Sequence, residues 1–244
     1  MKVLYVVVNG GWGRRQESVV QIAERWVESL SALGDLNDAA FTGWLEAVDD
    51  ISTAPRMPLS VAALSDYLKR ENPESDVDRI GYTTSLLTNN PGMPRVTFSI
   101  HAGGTSEWVT NSVALSFRSR KLDESVPVVS RSSDVLRILA DAWDIDTGQA
   151  YGRAQYDAVR DEFGLDNAAP RCGRSVYLSA KRAALAPEGL SGTYARTAHG
   201  GLIIDLTRGG AEEPDIETIL DANRRLRAAG ALEPLPEPLD RSKW

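Results

Sequence analysis

Glycines that follow an apolar run near the start of the chain have the residue types of a phosphate-binding turn. Gly11 and Gly13 come after the apolar run 3–8 and before a predicted helix. Such a turn can bring backbone N–H groups and a helix N-terminus to a phosphate. The dinucleotide pattern beginning at these glycines needs a third one at position 16, where Gln16 stands. We therefore interpret residues 9–13 as a tight turn that ends the strand at Asn9 and packs Trp12.

Nucleophilic and metal chemistry have few candidate residues in this sequence. Cys172 is the only cysteine, and His101 and His199 are the only histidines. Cys172 and His199 have the residue types of a nucleophile and its base, but a lone cysteine is more often a packed apolar side chain. The sequence contains no serine elbow, no calcium loop and no metal-binding helix motif. We therefore expect no catalytic residue, no metal site and no cofactor.

Acidic residues are concentrated in one polar stretch. Glu71, Glu74, Asp76 and Asp78 surround Asn72-Pro73, in a segment that we predict to be a loop. The formal net charge of -7 disfavours direct nucleic-acid binding, which needs a basic face. It suits a basic protein partner, although solubility alone also explains it. The four carboxylates are therefore candidates for steering a partner, with a solvated loop as the alternative.

A tryptophan in a polar turn is the second candidate for partner binding. Trp108 follows Ser106 and Glu107, between two segments of alternating polarity. Exposed tryptophans are favoured anchors in protein interfaces. The alternative is that the ring folds back onto the sheet.

The spacing of hydrophobic residues predicts the helices and strands that would position these residues. Apolar residues recur at steps of three and four from Val19 to Leu33, which predicts a helix capped by Ser18 and ended at Gly34. The same spacing predicts helices over 39–48, 60–71, 135–143 and 214–229. Alternation predicts an antiparallel strand pair over 96–100 and 113–117, and apolar runs predict strands at 3–8, 176–178 and 202–206.

The order of these elements predicts an α+β fold. No βαβ rhythm and no long linker are present, which favours a single domain whose mostly antiparallel or mixed sheet packs against several helices. We place that domain at residues 1–232 and a proline-rich tail at 233–244. One cysteine and no apolar run of membrane-spanning length predict a cytoplasmic protein without membrane contact.

Several short motifs follow one another along this chain. The first are Trp12-Gly13-x-Arg15-x-Glu17 and Phe41-x-x-Trp44. Later ones are Phe98-Ser99-Ile100-His101-Ala102-Gly103-Gly104, Ala142-Trp143-Asp144 and Gly200-Gly201-Leu202-Ile203-Ile204-Asp205-Leu206-Thr207. Taken in this order, the motifs resemble those of the immunity protein 52 family of bacterial polymorphic toxin systems. We expect seven motif residues to be fold determinants: Trp12, Gly13, Arg15, Glu17, Phe41, Trp44 and Trp143.

The resemblance implies an antidote in bacterial competition. Such a protein binds the cognate toxin of its own cell, often a restriction-endonuclease-like nuclease delivered by a type VI secretion system. It would inhibit that nuclease by stoichiometric contact, with Glu71, Glu74, Asp76, Asp78 and Trp108 as candidate contacts. Two alternatives remain open, namely a structural or adaptor protein and an enzyme with an unrecognised site.

Overall fold

The computed structural model describes residues 4–119 and 128–239. These residues form nine strands: β1 (Leu4–Trp12), β2 (Leu45–Glu46), β3 (Tyr82–Thr88), β4 (Arg95–Ala102), β5 (Asn111–Ser119), β6 (Thr147–Gly152), β7 (Ser175–Leu178), β8 (Thr193–Arg196) and β9 (Leu202–Asp205). They also form eight α-helices: α1 (Val19–Leu36), α2 (Asp38–Phe41), α3 (Val61–Glu71), α4 (Glu74–Ile80), α5 (Ser132–Trp143), α6 (Arg153–Phe163), α7 (Ala180–Ala183) and α8 (Ile216–Ala228).

All nine strands pair antiparallel in one sheet. Their order is β2-β3-β4-β5-β1-β6-β7-β9-β8. The predicted pair β4–β5 is present, with Phe98 opposite Leu115 and Ile100 opposite Val113. The predicted α+β class is therefore confirmed.

Helix α1 begins and ends at polar side chains that bond to its backbone. The Ser18 hydroxyl accepts from the N–H of Gln21 at 3.3 Å, while the Gln21 side chain accepts from the N–H of Ser18 at 2.9 Å. This reciprocal capping satisfies two donors that the first turn leaves free. At the other end the helix runs past Gly34 to Asn37, whose N–H bonds to Leu33 and whose side chain caps α2. The predicted N-cap is correct, and the predicted stop at Gly34 is too early.

Strand β1 does not end at Asn9, so the predicted turn at residues 9–13 is wrong. The strand continues to Trp12 because β5 and β6 flank it and bond to its backbone on both sides. Gly10 is required there by close packing, since an added Cβ would lie 2.3 Å from Cδ1 of Ile145. The glycines thus let a neighbouring side chain approach the sheet, and no phosphate-binding turn forms.

Two further predictions fail near the acidic stretch. The helix expected over 39–48 is only the four residues of α2, because Gly43 adopts a positive φ of 69° and Leu45 joins β2. The loop expected before residue 78 is instead helix α4. That helix ends at Gly81, whose φ of 90° suits glycine.

The sheet is covered unequally on its two faces. On one face α1, α3 and α5 pack over the larger core, where the Trp26 ring lies 5.9 Å from that of Phe98. On the other face α6 and α8 cover β7 and β9 through residues such as Ile204 and Leu226, and α6 reaches the end of β6, where the Tyr151 and Tyr156 rings lie 4.9 Å apart. That same face of β3, β4 and β5 carries small, partly exposed polar side chains such as Ser99 and Ser116. Strands β1 and β6 therefore lie at a step between a covered and an open half of this face.

Candidate partner-binding surface

The predicted acidic contacts lie on two short helices. Glu71 is the last residue of α3 and forms an ion pair with Nε of Arg70 at 3.2 Å. Glu74 and Asp78 are exposed and lie one turn apart on α4. Asp76 belongs to the same helix, but its side chain is outside what the structure describes. Helix α4 therefore carries at least two exposed carboxylates, those of Glu74 and Asp78.

Helix α4 is fixed to the segment 103–110 that joins β4 to β5. The N–H groups of Thr105 and Ser106 donate to the carbonyl of Arg79 at 3.1 and 2.9 Å, and the Thr105 hydroxyl donates to the carbonyl of Asp78 at 2.7 Å. The fit is tight, since an added Cβ on Gly104 would lie 2.4 Å from the carbonyl oxygen of Ile80. The acidic helix and the loop of Trp108 are therefore one continuous surface.

Trp108 lies on this surface with its side chain in solvent. The residue is 70% exposed, so the ring does not fold back onto the sheet. The Ser106 hydroxyl accepts from the N–H groups of Trp108 and Val109 at 3.1 and 3.2 Å, which fixes the turn beneath the ring. Arg14 and Glu107 form an exposed ion pair of 3.0 Å beside it. The loop that carries Trp108 is thus the segment that is hydrogen-bonded to α4.

Four of the family-motif residues form one buried cluster. The Trp12 and Trp143 rings stack with centroids 6.0 Å apart, and the Arg15 guanidinium lies 4.7 Å from the Trp12 centroid. Glu17 lies between two arginines, 2.9 Å from Nε of Arg15 and 2.6 Å from Nε of Arg25. Both arginines also donate to carbonyls at the end of α5. The cluster therefore ties the segment after β1 to α5.

The other motif residues are also placed in the interior. The N–H of Gly13 donates to Oδ2 of Asp146 at 3.2 Å, and its carbonyl accepts from the Asn111 side chain at 2.9 Å. Phe41 and Trp44 pack edge-to-face against the rings of β5 and β4 in the larger core. All seven motif residues are buried except Arg15, which is partly exposed.

A groove that the sequence did not reveal runs along the step between β1 and β6. Its floor is formed by four residues on the open face, Gly11, Ser112, Thr147 and Gln149. Segment 166–171 forms one wall, segment 234–239 forms another, and Trp108 lies at the mouth. Two adjoining cavities of about 150 and 230 Å³ make up this space. We call it the β1–β6 groove.

The walls of the β1–β6 groove are held by hydrogen bonds to other elements. Arg227 of α8 donates to the carbonyl of Pro170. Asn223 of α8 bonds to both the N–H and the carbonyl of Cys172, at 2.9 and 2.7 Å. On the other wall, the N–H of Leu239 donates to the carbonyl of Glu107 at 2.8 Å. The groove is therefore preformed in the free chain.

Two polar atoms in the groove make no hydrogen bond with any residue that the structure describes. Gln149 is 8% exposed, and its Oε1 is buried without a donor. Arg171 is 2% exposed, and its Nη1 is buried without an acceptor, although its other nitrogens bond to carbonyls of the wall. Buried polar groups are nearly always hydrogen-bonded. Both atoms are enclosed by protein, and the Arg171 guanidinium lies over the Tyr156 ring with Cζ 4.3 Å from the ring centroid.

The residue types considered for catalysis are not brought together. Cys172 is fully buried in the smaller core, and burial raises the pKa of its thiol to about 12. His199 is exposed. Within residues 4–119 and 128–239, no three His, Cys, Asp or Glu side chains cluster closely enough to hold a metal ion. None of the helices in these ranges is long and apolar enough to cross a membrane.

Comparison with known proteins gives one family. The family model described as immunity protein 52 matches residues 5–235 of this chain. No curated protein matches it. Among solved structures, a T6SS protein of Pseudomonas aeruginosa aligns with 13% identity and a TM-score of 0.49, over 95% of this chain and 74% of the other. A likeness at that score carries no argument about fold or function.

Proposed function

Because the chain belongs to the immunity protein 52 family, we propose that it binds and neutralises a cognate secreted toxin of the nuclease type. The match over residues 5–235 is the observation that carries this proposal. As the family resemblance implies, the toxin domain is restriction-endonuclease-like and is delivered by a type VI secretion system. The proposed place of action is the cytoplasm, where a nuclease would meet nucleic acid.

Charge supports a nuclease as the partner. A nuclease must present basic side chains to the phosphates of its substrate. This chain has a formal net charge of -7, and Glu74 and Asp78 are exposed on α4. Opposite charges accelerate the encounter of two proteins and disfavour wrong partners. We therefore propose that Glu71, Glu74, Asp76 and Asp78 steer the toxin towards this surface.

Trp108 is the proposed anchor of the contact. A large aromatic ring that is 70% exposed on a hydrogen-bonded turn can bury much area at a low cost in conformational entropy. Its loop is hydrogen-bonded to α4 through Thr105, and Trp108 itself lines the β1–β6 groove. A stable interface buries roughly 800 Å² on each partner, which requires contacts beyond a single side chain. The proposed interface therefore extends from α4 across Trp108 to the groove.

Inhibition by contact, without bond-making, is the proposed mechanism. The family is one of immunity proteins, and the buried Cys172 thiol, whose pKa is raised to about 12, is a poor nucleophile at neutral pH. An enzyme that destroyed the toxin or its product would protect at far less than one equivalent. A structural or adaptor protein would not protect at all.

Co-purification tests the proposal. The chain is expressed with the toxin encoded by the neighbouring gene, inactivated at its catalytic residue, and only the toxin carries an affinity tag. We expect a complex that survives size-exclusion chromatography. The Trp108→Ala variant should be recovered at a lower yield, whereas Leu59→Ala, another exposed apolar residue, should be recovered like the wild type. Failure of the wild-type chain to co-purify would contradict the proposed function.

A further inference from the structure

We propose that the open half of the sheet is a docking surface for the toxin, on which Arg95 and Arg118 together bind an acidic side chain of that protein. We call this surface, the side of β3, β4 and β5 that is turned away from the larger core, the open face. The inference rests on the proposed function, because it takes the toxin as the partner.

Arg95 and Arg118 lie directly opposite each other on the open face. They are register partners in β4 and β5, and both point away from the core because their neighbours Val96 and Phe117 are buried in it. Both arginines are exposed, and neither has an acidic partner in the part of the chain that the structure describes. Like charges directly opposite each other on a strand pair are destabilising. The pair therefore calls for a counter-charge from outside these residues.

A carboxylate has the chemistry that this pair needs. Guanidinium groups present their N–H donors in a fork that matches a carboxylate. The Cβ atoms of opposite residues are about 5 Å apart, so both long side chains can reach one anion. Tyr5 of β1 is the register partner of Arg118 on the other side and is 43% exposed, so its hydroxyl can donate to the same anion. The formal net charge of -7 disfavours the phosphates of nucleic acid, which favours an acidic side chain of a protein.

The floor beside the arginine pair is uncharged and low. Its side chains are small and partly exposed: Ser85, Thr97, Ser99, Ala114 and Ser116. The hydroxyls of Ser85 and Ser99 lie 2.8 Å apart, so they satisfy each other. On the neighbouring half of the sheet, α6 and α8 occupy the layer above the strands. A surface of the toxin therefore has room to lie directly on the open face.

The two ends of the open face carry opposite charges. Arg95 is the first residue of β4, and His101 lies about 20 Å further along the strand, at about 3.4 Å per residue. Nε2 of His101 donates to the carbonyl of Ile80 at 2.7 Å, which places the end of α4 beside the strand. Helix α4 carries the exposed Glu74 and Asp78. Because complementary charges fix the register of two surfaces, the toxin docks with a basic region over α4 and an acidic group over the arginines.

Charge removal and steric blocking test the assigned surface. Arg95→Gln and Arg118→Gln, alone and together, remove the charges, and Ser116→Trp places a large ring on the floor. Arg196→Gln and Thr193→Trp are the matched controls, because both residues are exposed on β8 at the far edge of the sheet. Affinity for the inactivated toxin is measured by isothermal titration calorimetry, and the midpoint of thermal unfolding by circular dichroism.

We expect each arginine substitution to weaken toxin binding about tenfold, the effect of losing a hydrogen bond to a charged group. The unfolding midpoint of the free chain should stay the same or rise, because the repulsion between the two arginines is removed. Ser116→Trp should weaken binding by at least about tenfold through steric exclusion. The two β8 controls should bind like the wild type.

The outcomes separate this inference from the proposed function. If the wild-type chain binds the toxin and the arginine variants bind it with unchanged affinity, the inference fails while the function stands. Weaker binding together with a lower unfolding midpoint would indicate a structural role and would also overturn the inference. Binding of a DNA duplex that the double variant loses would assign the pair to phosphates instead. If the wild-type chain binds no toxin, the proposed function fails, and the inference fails with it.

Discussion

Replacing Glu17 with glutamine tests whether the buried charge cluster holds the molecule together. The Glu17 side chain is 4% exposed and lies within 2.9 Å of both Arg15 and Arg25. Removing one partner of a buried ion pair costs about 3–5 kcal/mol, because the remaining charge is left uncompensated. Here each arginine keeps a carbonyl acceptor at the end of α5, at 2.9 and 2.7 Å. We therefore expect Glu17→Gln to lower the free energy of unfolding by about 2–3 kcal/mol.

Thermal and urea denaturation give the assay for this prediction. For a chain of this size, that loss corresponds to a midpoint lower by about 4–12 °C. Glu212→Gln is the matched control, because the Arg208–Glu212 pair is 3.4 Å long and both side chains are more than half exposed. Exposed pairs contribute about 0–1 kcal/mol, so the control should remain close to the wild type. Equal effects of the two substitutions would refute the structural role of the cluster.

Three further predictions concern other parts of the chain. Gly10→Ala should lower the free energy of unfolding, measured by urea denaturation, by about 1–3 kcal/mol, because the added Cβ would overlap Ile145. Gly11→Ala, the control, should be nearly neutral. Similar losses for the two variants would contradict the close packing of Ile145 on Gly10. The Cys172 thiol, with its pKa raised to about 12 by burial, should react with a thiol reagent at pH 8 only after unfolding. Rapid labelling of the native chain would contradict this burial. Because the raised pKa disfavours the thiolate in the folded state, the Cys172 thiol should also lower the free energy of unfolding as pH rises from about 9 to about 12. The third prediction reverses the charges of Glu71, Glu74, Asp76 and Asp78. This change should slow toxin association in stopped-flow measurements and flatten the salt dependence of the association rate. An unchanged rate would exclude these four residues from the interface.

Local patterns predicted much of the fold, and long-range pairing determined the rest. The alternation in β4 and β5 and the capping serine of α1 are short-range signals, and both predictions are confirmed. The break expected at Asn9 is wrong because the flanking strands β5 and β6, which lie far along the chain, supply bonds to that backbone. Strand β6 itself was not predicted, since its sequence Thr-Gly-Gln-Ala-Tyr-Gly has no apolar alternation.

The candidate surface was also predicted only in part, because contacts between residues far apart in the sequence assemble it. Trp108 was identifiable because a tryptophan in a polar turn is unusual, and the acids of α4 were identifiable from their density. Their adjacency depends on hydrogen bonds between α4 and the loop of Trp108, which no local pattern encodes. The groove depends on the register that places Gly11 opposite Thr147 and on a wall from residues 166–171. Neither Gln149 nor Arg171 carries a signal in the sequence.

Titration of toxin activity with the purified chain tests the central claim most directly. A fixed amount of active toxin is incubated with increasing amounts of the wild-type chain, and cleavage of nucleic acid is followed. Binding without turnover predicts a linear loss of activity that reaches completion at one equivalent. Complete protection at a small fraction of an equivalent, or full activity in the presence of excess chain, would contradict it.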